Sequence, residues 1–526
     1  MKRILAILAV CVMMLGIAAC APDKVIDPTV EDTENLYIYI LERGYGSEWL
    51  VEMAKAFEEK TGINTDVFST SSPTRLPSEI KKGPTGTDAD IFFNLGHHRV
   101  QYQNYSGLWE DYPDGLLDLT ELYGMTIPGE NVTFGDKMVG DFRKYSNQGT
   151  EEDPKYYTVP WASGIMGLTY NIDVFKELYG DSYEDKLPNT TKELYDLAVD
   201  IKNKGGMPFI FAGQLDYFSS SMMYDWWAQY EGIEEFENFF KGRAYDENYE
   251  TYVENAKEIF RQTGRFKAIE ALSQLISYDA DLYYRNGYSY GEFDYKDLQV
   301  RYLTKANKTA MMPNGDWLET ENDGSNECEF GMMKTPVLSA ITEKLDSIED
   351  GDDETLSLVI DYVDGNLDEP PAGVRETDIE KVRIARNITA SNGLTHSAYV
   401  PQFTNAKANV FRFFLFMASD EGLRIYKEYT KGGFLPFKHD YTGVELSTFE
   451  KDIAEQLNSM HYVGELNLSP LFYKGGLSGV KYSNQASLES RIACSPSSAN
   501  YLDAQGAFEA FFYSDTEWEL LVNSST

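Results

Sequence analysis

The chain has 526 residues, enough for two or three domains, and its 42% hydrophobic and 25% charged content is ordinary for a globular fold. Its 46 basic and 85 acidic residues leave a net charge of −39, which disfavours nucleic acid, anionic membrane surfaces and polyanionic ligands as partners. Aromatic residues make up 14%, with 37 tyrosines, a composition suited to stacking rings on a polar, uncharged ligand.

Residues 1–20, MKRILAILAVCVMMLGIAAC, carry Lys2 and Arg3 and then an apolar run over 4–19, the pattern of a secretory signal. The run closes on Ile17-Ala18-Ala19-Cys20, which resembles a bacterial lipobox and implies lipidation of Cys20. Residues 21–34 are polar, contain proline and lack periodicity, as expected of a flexible tether. The mature chain retains Cys328 and Cys494; in an exported protein they could pair or stay as two buried thiols.

The run 35–41 predicts a strand, and residues 48–61 a helix with Trp49, Leu50, Met53, Ala54 and Phe57 on one face and Gly62 ending it. A second strand at 63–69 completes a βαβ unit, and 89–96 reads as another strand entering a glycine loop. Tyr45 and Asn94 then fall on the loops at the carboxyl ends of these strands, where open α/β sheets bind ligands, with His97 and His98 beside them. Further on, 156–180 passes from strand to turn to strand to helix, and Thr190 and Glu193 have capping-box spacing. Residues 214–300 are aromatic and helical in pattern. In AMMPNGDW (310–317) a strand end meets a turn at Asn314-Gly315, followed by Asp316 and Trp317. The acidic stretch 343–385 reads as an exposed helical insert with a mobile tip, and 406–430 as one long amphipathic helix ending at Gly432-Gly433.

Enzyme signatures fare poorly. Gly287-Tyr288-Ser289-Tyr290-Gly291 matches G-x-S-x-G, but its polar flanks do not supply the strand and helix of a nucleophile elbow. A calcium loop around Gly351 fails at Ile348 and Ser357, and five histidines restrict metal and triad chemistry.

Several segments in order carry a resemblance: PWASGIMGLTYNIDVFKELYG, LPNTTKELYDLA, KTAMMPNGDW and AKANVFRFFLFMASDEGLRIYKEYTKGGFLPF, together with the lipobox. They resemble the sugar-type (family 1) extracellular solute-binding lipoproteins of bacterial ABC importers. The resemblance implies an α/β fold of two lobes with a cleft between them and three crossings, near Val159-Pro160, Thr335-Pro336 and Gly433. Lobe 1 would be 35–158 with 336–432, and lobe 2 would be 159–335 with 433–526. It implies a non-enzymatic, monomeric receptor without cofactor or metal. The receptor would be anchored outside the cytoplasm through its N-terminal lipid, capturing an oligosaccharide for permease subunits served by a separate ATPase. Tyr45, Asn94, Trp161, Trp226, Asp316, Trp317 and Tyr399 are the expected ligand-binding residues. Trp226 and Trp227 are adjacent on a helix, so at most one can face the cleft. The alternatives are a receptor for another solute, such as a peptide, or a secreted glycoside hydrolase.

Overall fold

The computed structural model describes residues 35–525, except 97–98, 106–110, 214, 246–250, 288–293, 323–325, 459–460, 475 and 481–486. The signal, the tether, Cys20, His97, His98 and most of the G-x-S-x-G segment therefore lie outside the described residues.

Two sheets organise the chain. In chain order the strands are β1 (Asn35–Leu41), β2 (Asn64–Thr70), β3 (Ile91–Leu95), β4 (Thr158–Pro160), β5 (Ile165–Asn171), β6 (Met207–Phe209), β7 (Arg243–Tyr245), β8 (Tyr252–Glu254), β9 (Thr309–Gly315), β10 (Phe330–Met333), β11 (Ile388–Ser391), β12 (His396–Tyr399) and β13 (His461–Val463). The first sheet has the order β2-β1-β3-β12-β4, with β1 parallel to β2 and β3, and β12 antiparallel to β3 and β4. The second runs β13-β11-β5-β9-β6, with β10 also on β5, while β7 and β8 form a separate antiparallel pair.

The first βαβ unit follows its periodicity. The helix Glu48–Thr61 buries Trp49, Leu50, Met53, Ala54 and Phe57, and Gly62 closes it in the left-handed conformation, its N–H reaching the Glu58 carbonyl. At residue 190 half of the capping box forms: Thr190 Oγ1 accepts from the Glu193 N–H at 3.2 Å, but the Glu193 carboxylate reaches back to Asn189 N at 2.7 Å.

Several expectations change. Asn314-Gly315 is not a turn but the end of β9, a strand buried at all seven positions between β5 and β6; a strand covered on both faces needs no alternating pattern. The long helix is two, Lys407–Met417 and Asp420–Tyr429, because Ser419 takes an extended backbone and caps the second, accepting from Gly422 N. The acidic stretch is not merely a solvated insert. Its helices Asp353–Val363 and Glu376–Arg386 enclose a small core of Leu356, Val359, Ile360, Ile379 and Val382 with Val337 and Ile341.

The chain leaves the first sheet for the second between Pro160 and Ile165, and returns between Ser391 and His396 rather than near Thr335-Pro336. Thr335 instead donates to buried Asp225 at 2.5 Å, and the Pro336 carbonyl accepts from Trp226. Residues 336–391 thus stay with the second sheet.

Candidate functional site

The chain passages between the sheets are tied to one another and to the segment after residue 430. Trp161 N donates to His396 O at 2.9 Å, Ser163 N to Phe434 O at 2.8 Å, and Asn392 N to Gly164 O at 2.9 Å. Gly164 has φ +58°, and a Cβ there would lie 2.4 Å from Gly393 N, so the two passages can touch only at a glycine.

Asp316 sits at this junction, fully buried. Its Oδ1 accepts from Tyr45 OH, and its Oδ2 from Ser163 Oγ at 2.6 Å and Ile165 N at 3.1 Å. Tyr45 belongs to the loop after β1, Ser163 to the first passage and Asp316 to the end of β9, so one carboxylate joins both sheets. Burial raises the Asp316 pKa to about 7, although the hydrogen bonds from Ser163 and Tyr45 partly counter it.

Aromatic rings pack around this carboxylate. Tyr45 meets Trp161 at 5.8 Å, Trp317 at 6.1 Å and His396 at 5.3 Å, all edge to face. Trp161 stacks on Trp49 at 5.7 Å and donates from Nε1 to the Asn94 carbonyl at 3.2 Å. Trp317 is 5% exposed, flanked by Tyr217 at 5.8 Å. A Cβ on Gly44 would stand 2.9 Å from Trp317, so the indole lies directly against that backbone. His396 is buried with its Nδ1 3.1 Å from the Asn392 carbonyl, and burial lowers its pKa to about 4.

Tyr45, Trp161, Asp316 and Trp317 are therefore brought into one knot, with Asn94 attached by its carbonyl. Asn94 also donates to Tyr102 OH, and its side chain is buried. Tyr399 lies apart, edge to face with Tyr102 at 5.0 Å and donating to Gly96 O at 3.1 Å. Trp226 joins neither group; it and Trp227 are fully buried, with Trp226 Nε1 on Pro336 O at 3.0 Å and Trp227 Nε1 on Gln262 Oε1 at 2.6 Å. Cys328 and Cys494 do not pair: both are buried free thiols, and Cys494 Sγ lies 3.2 Å from the Arg491 carbonyl.

A narrow cleft of about 70 Å³ is lined by Arg99, Thr158, Ser397 and Tyr399 from the first-sheet side and by Glu465 and Tyr473 from the tail. It is far smaller than the several hundred Å³ of a typical ligand pocket. β12 links the two features, carrying His396 in the knot and Tyr399 in the cleft. Near the cleft, Glu237 on the helix Ile233–Lys241 accepts from Lys144, from Tyr145 OH at 2.9 Å and from Lys241 at 2.8 Å. Burial works against the Glu237 charge, yet the two lysines hold its carboxyl below the usual range. A larger groove of about 1210 Å³ lies elsewhere, beside the helices Thr191–Asn203 and Thr448–Leu457, and is lined by acids including Glu184, Asp196 and Asp452. Of the seven residues expected at the ligand, Tyr399 lines the cleft. Arg99 and Tyr473 were not anticipated. Arg99 follows directly on the rim histidines; Tyr473 sits in a tail with no readable periodicity.

Two buried acids, Asp316 and Glu489, and the half-buried Asp452 make stability depend on pH. Burial raises Asp316 and Asp452 to about 7 and Glu489 to about 8. Each keeps a proton in the fold that the unfolded chain has already lost, so its contribution is complete below the ordinary carboxylate range and is lost as pH rises through the raised value. Neutral, buried His396 acts oppositely, but only as pH falls below its ordinary value of 6.5. Melting temperature is therefore expected to rise as pH drops from about 8.5 to about 6.5 at fixed ionic strength. A flat or falling profile in scanning fluorimetry would contradict this assignment.

The two sheets with their flanking helices, exchanging strands at a tied junction, define a two-lobed α/β solute-binding fold. The chain belongs to the bacterial extracellular solute-binding protein family, whose model matches residues 43–317. It is an extracellular solute-binding protein of the ABC importer type. Three solved structures share the fold. A family 1 extracellular solute-binding protein from Bifidobacterium longum subsp. infantis is 14% identical, with a TM-score of 0.54, covering 93% of this chain and 100% of that one. Apo RafE from Streptococcus pneumoniae is 15% identical, with a TM-score of 0.55 and coverage of 91% and 97%. A chitin oligosaccharide binding protein is 14% identical, with a TM-score of 0.54 and coverage of 94% and 99%. No curated protein sequence matches the chain.

Proposed function

We propose that the chain is a carbohydrate receptor, capturing an oligosaccharide between its lobes and passing it to a membrane permease driven by a separate ATPase. The observation that carries this reading is the aromatic knot. Rings from both lobes, Tyr45 from one and Trp317 from the other, meet around a buried carboxylate acceptor. If the lobes part, as hinged two-lobed folds do, those faces separate and a sugar ring can stack between them, with its hydroxyls donating to Asp316. The passages at 161–164 and 392–395 and the segment near Gly433 are the natural hinge. The chitin oligosaccharide binding protein among the structural relatives agrees with this solute class. The role is binding without turnover. The receptor works as a monomer held outside the cytoplasm by lipid on Cys20.

The test is a thermal-shift panel of oligosaccharides and peptides on the chain from residue 21 onward. Ligand at 100 times its Kd adds about 2.7 kcal/mol, a readily visible shift. A shift with saccharides that shrinks in Trp317→Phe supports the reading. A shift with peptides alone, or release of sugar from a glycoside, overturns it.

A further inference from the structure

We propose that the captured saccharide carries an anionic group, a carboxylate or a sulfate, received by Arg99. This rests on the carbohydrate reading above and names the ligand more closely.

Arg99 is unusual in this chain. With 85 acidic residues against 46 basic ones, carboxylates are plentiful, and buried cations find them. Lys137 meets Glu130 at 2.6 Å, Arg386 meets Asp364 at 2.8 Å, and Lys427 meets Glu450. Arg265 is instead wrapped by aromatic rings and carbonyl oxygens. Among the described residues Arg99 has neither arrangement. It is partly buried on the cleft wall, and its guanidinium donates to the neutral amide oxygen of Gln103 at 3.0 Å. Burial lowers its pKa, and the groups that act on its charge are the hydroxyls of Tyr473, Tyr399 and Tyr157. Glu465 lines the same cleft but has partners of its own and is not among those groups.

A guanidinium drawn out of water without a counterion is costly, and an arriving anion removes that cost. The planar fork matches a carboxylate or sulfate through two parallel hydrogen bonds, and the Tyr473 hydroxyl in the same cleft can donate to the same oxygens. The overall negative field opposes a polyanion but not a single charge taken up at one local cation. The fitting ligand is therefore a mostly neutral oligosaccharide bearing one acidic group.

Calorimetric titration distinguishes the outcomes. The probes are a neutral oligosaccharide, the same length with one uronic acid, the same length with one sulfate, and a peptide. At least one acidic saccharide is expected to bind about tenfold or more tightly than the neutral one. Arg99→Gln should erase that preference, and Arg99→Lys should restore it in part, since the charge returns without the fork. Which acidic probe wins identifies carboxylate or sulfate. Equal binding of neutral and acidic saccharides, or an acidic preference that survives Arg99→Gln, overturns the inference and leaves the carbohydrate reading intact. Binding of the peptide alone, or of no probe, overturns both.

Discussion

Replacing Asp316 with alanine is expected to destabilise the protein by about 3 to 5 kcal/mol, with a lower melting temperature and looser contact between the lobes. The lost charge is not the cause, because burial already makes that charge unfavourable. The cost comes from three orphaned donors, Tyr45 OH, Ser163 Oγ and Ile165 N, all buried where water cannot replace the missing acceptor. Asp316→Asn separates the two effects. Its oxygen can accept from Ser163 and Ile165, and its amide can donate to the Tyr45 hydroxyl oxygen, so it should cost only about 1 kcal/mol. The same variant should flatten part of the pH dependence of melting. Thermal melts of both variants, with small-angle scattering to follow lobe separation, check these statements. An alanine variant that melts with the parent would show that the carboxylate does not hold the junction.

Arg265→Met is expected to cost about 3 kcal/mol or more and to release the tail, because it orphans the carbonyls of Phe260, Phe508 and Gly479. Arg265 is fully buried on the helix Thr263–Ile276. Its guanidinium lies 4.4 Å from the Phe511 ring, 5.4 Å from Phe508 and 5.6 Å from Phe260, and donates to the carbonyls of Phe508 at 3.3 Å and Gly479 at 3.4 Å. One side chain thus holds the tail at two separated points. Methionine keeps the volume but loses the cation–π contacts and the hydrogen bonds. Limited proteolysis should then trim the variant after about residue 479, while the parent resists. Identical cleavage of the two would reject the clamp.

What could be read in advance follows the range of the interactions. The helix Glu48–Thr61 announces its buried face because five apolar residues repeat at helical spacing and a glycine closes it. β1 and β3 announce themselves as short apolar runs before glycine loops. β9 misleads, because a strand buried on both faces carries no alternation and its Asn-Gly end looks like a turn. Ser419 breaks a helix whose apolar pattern runs through it, a local capping preference overriding periodicity. At the site, the choice of Tyr45, Trp161, Asp316 and Trp317 finds residues that do meet. Their contact is with one another, and Tyr45 and Asp316 stand 271 positions apart, a pairing no local pattern encodes. Trp226 lies away from the others: its helix is buried on nearly every side, polar positions included, and its indole bonds to Pro336 O. The tail, where Tyr473 and Glu465 complete the cleft, lacks periodicity because its place is set by distant partners such as Arg265.

The strand order also sets a timetable for synthesis. β3 waits for β12, and β12 ends at Tyr399 of a 526-residue chain. Until then the first sheet has an open edge beside a finished βαβ unit, and β11 likewise waits for β13 at residues 461–463. Neither lobe can therefore be completed from its first segment while the ribosome is still working on the middle of the chain. Folding is postponed until most of the polypeptide exists, which slows it and prolongs exposure of an unpaired edge. For a polypeptide that must pass through a membrane before it works, late closure is an advantage: nothing compact has formed that would have to be undone.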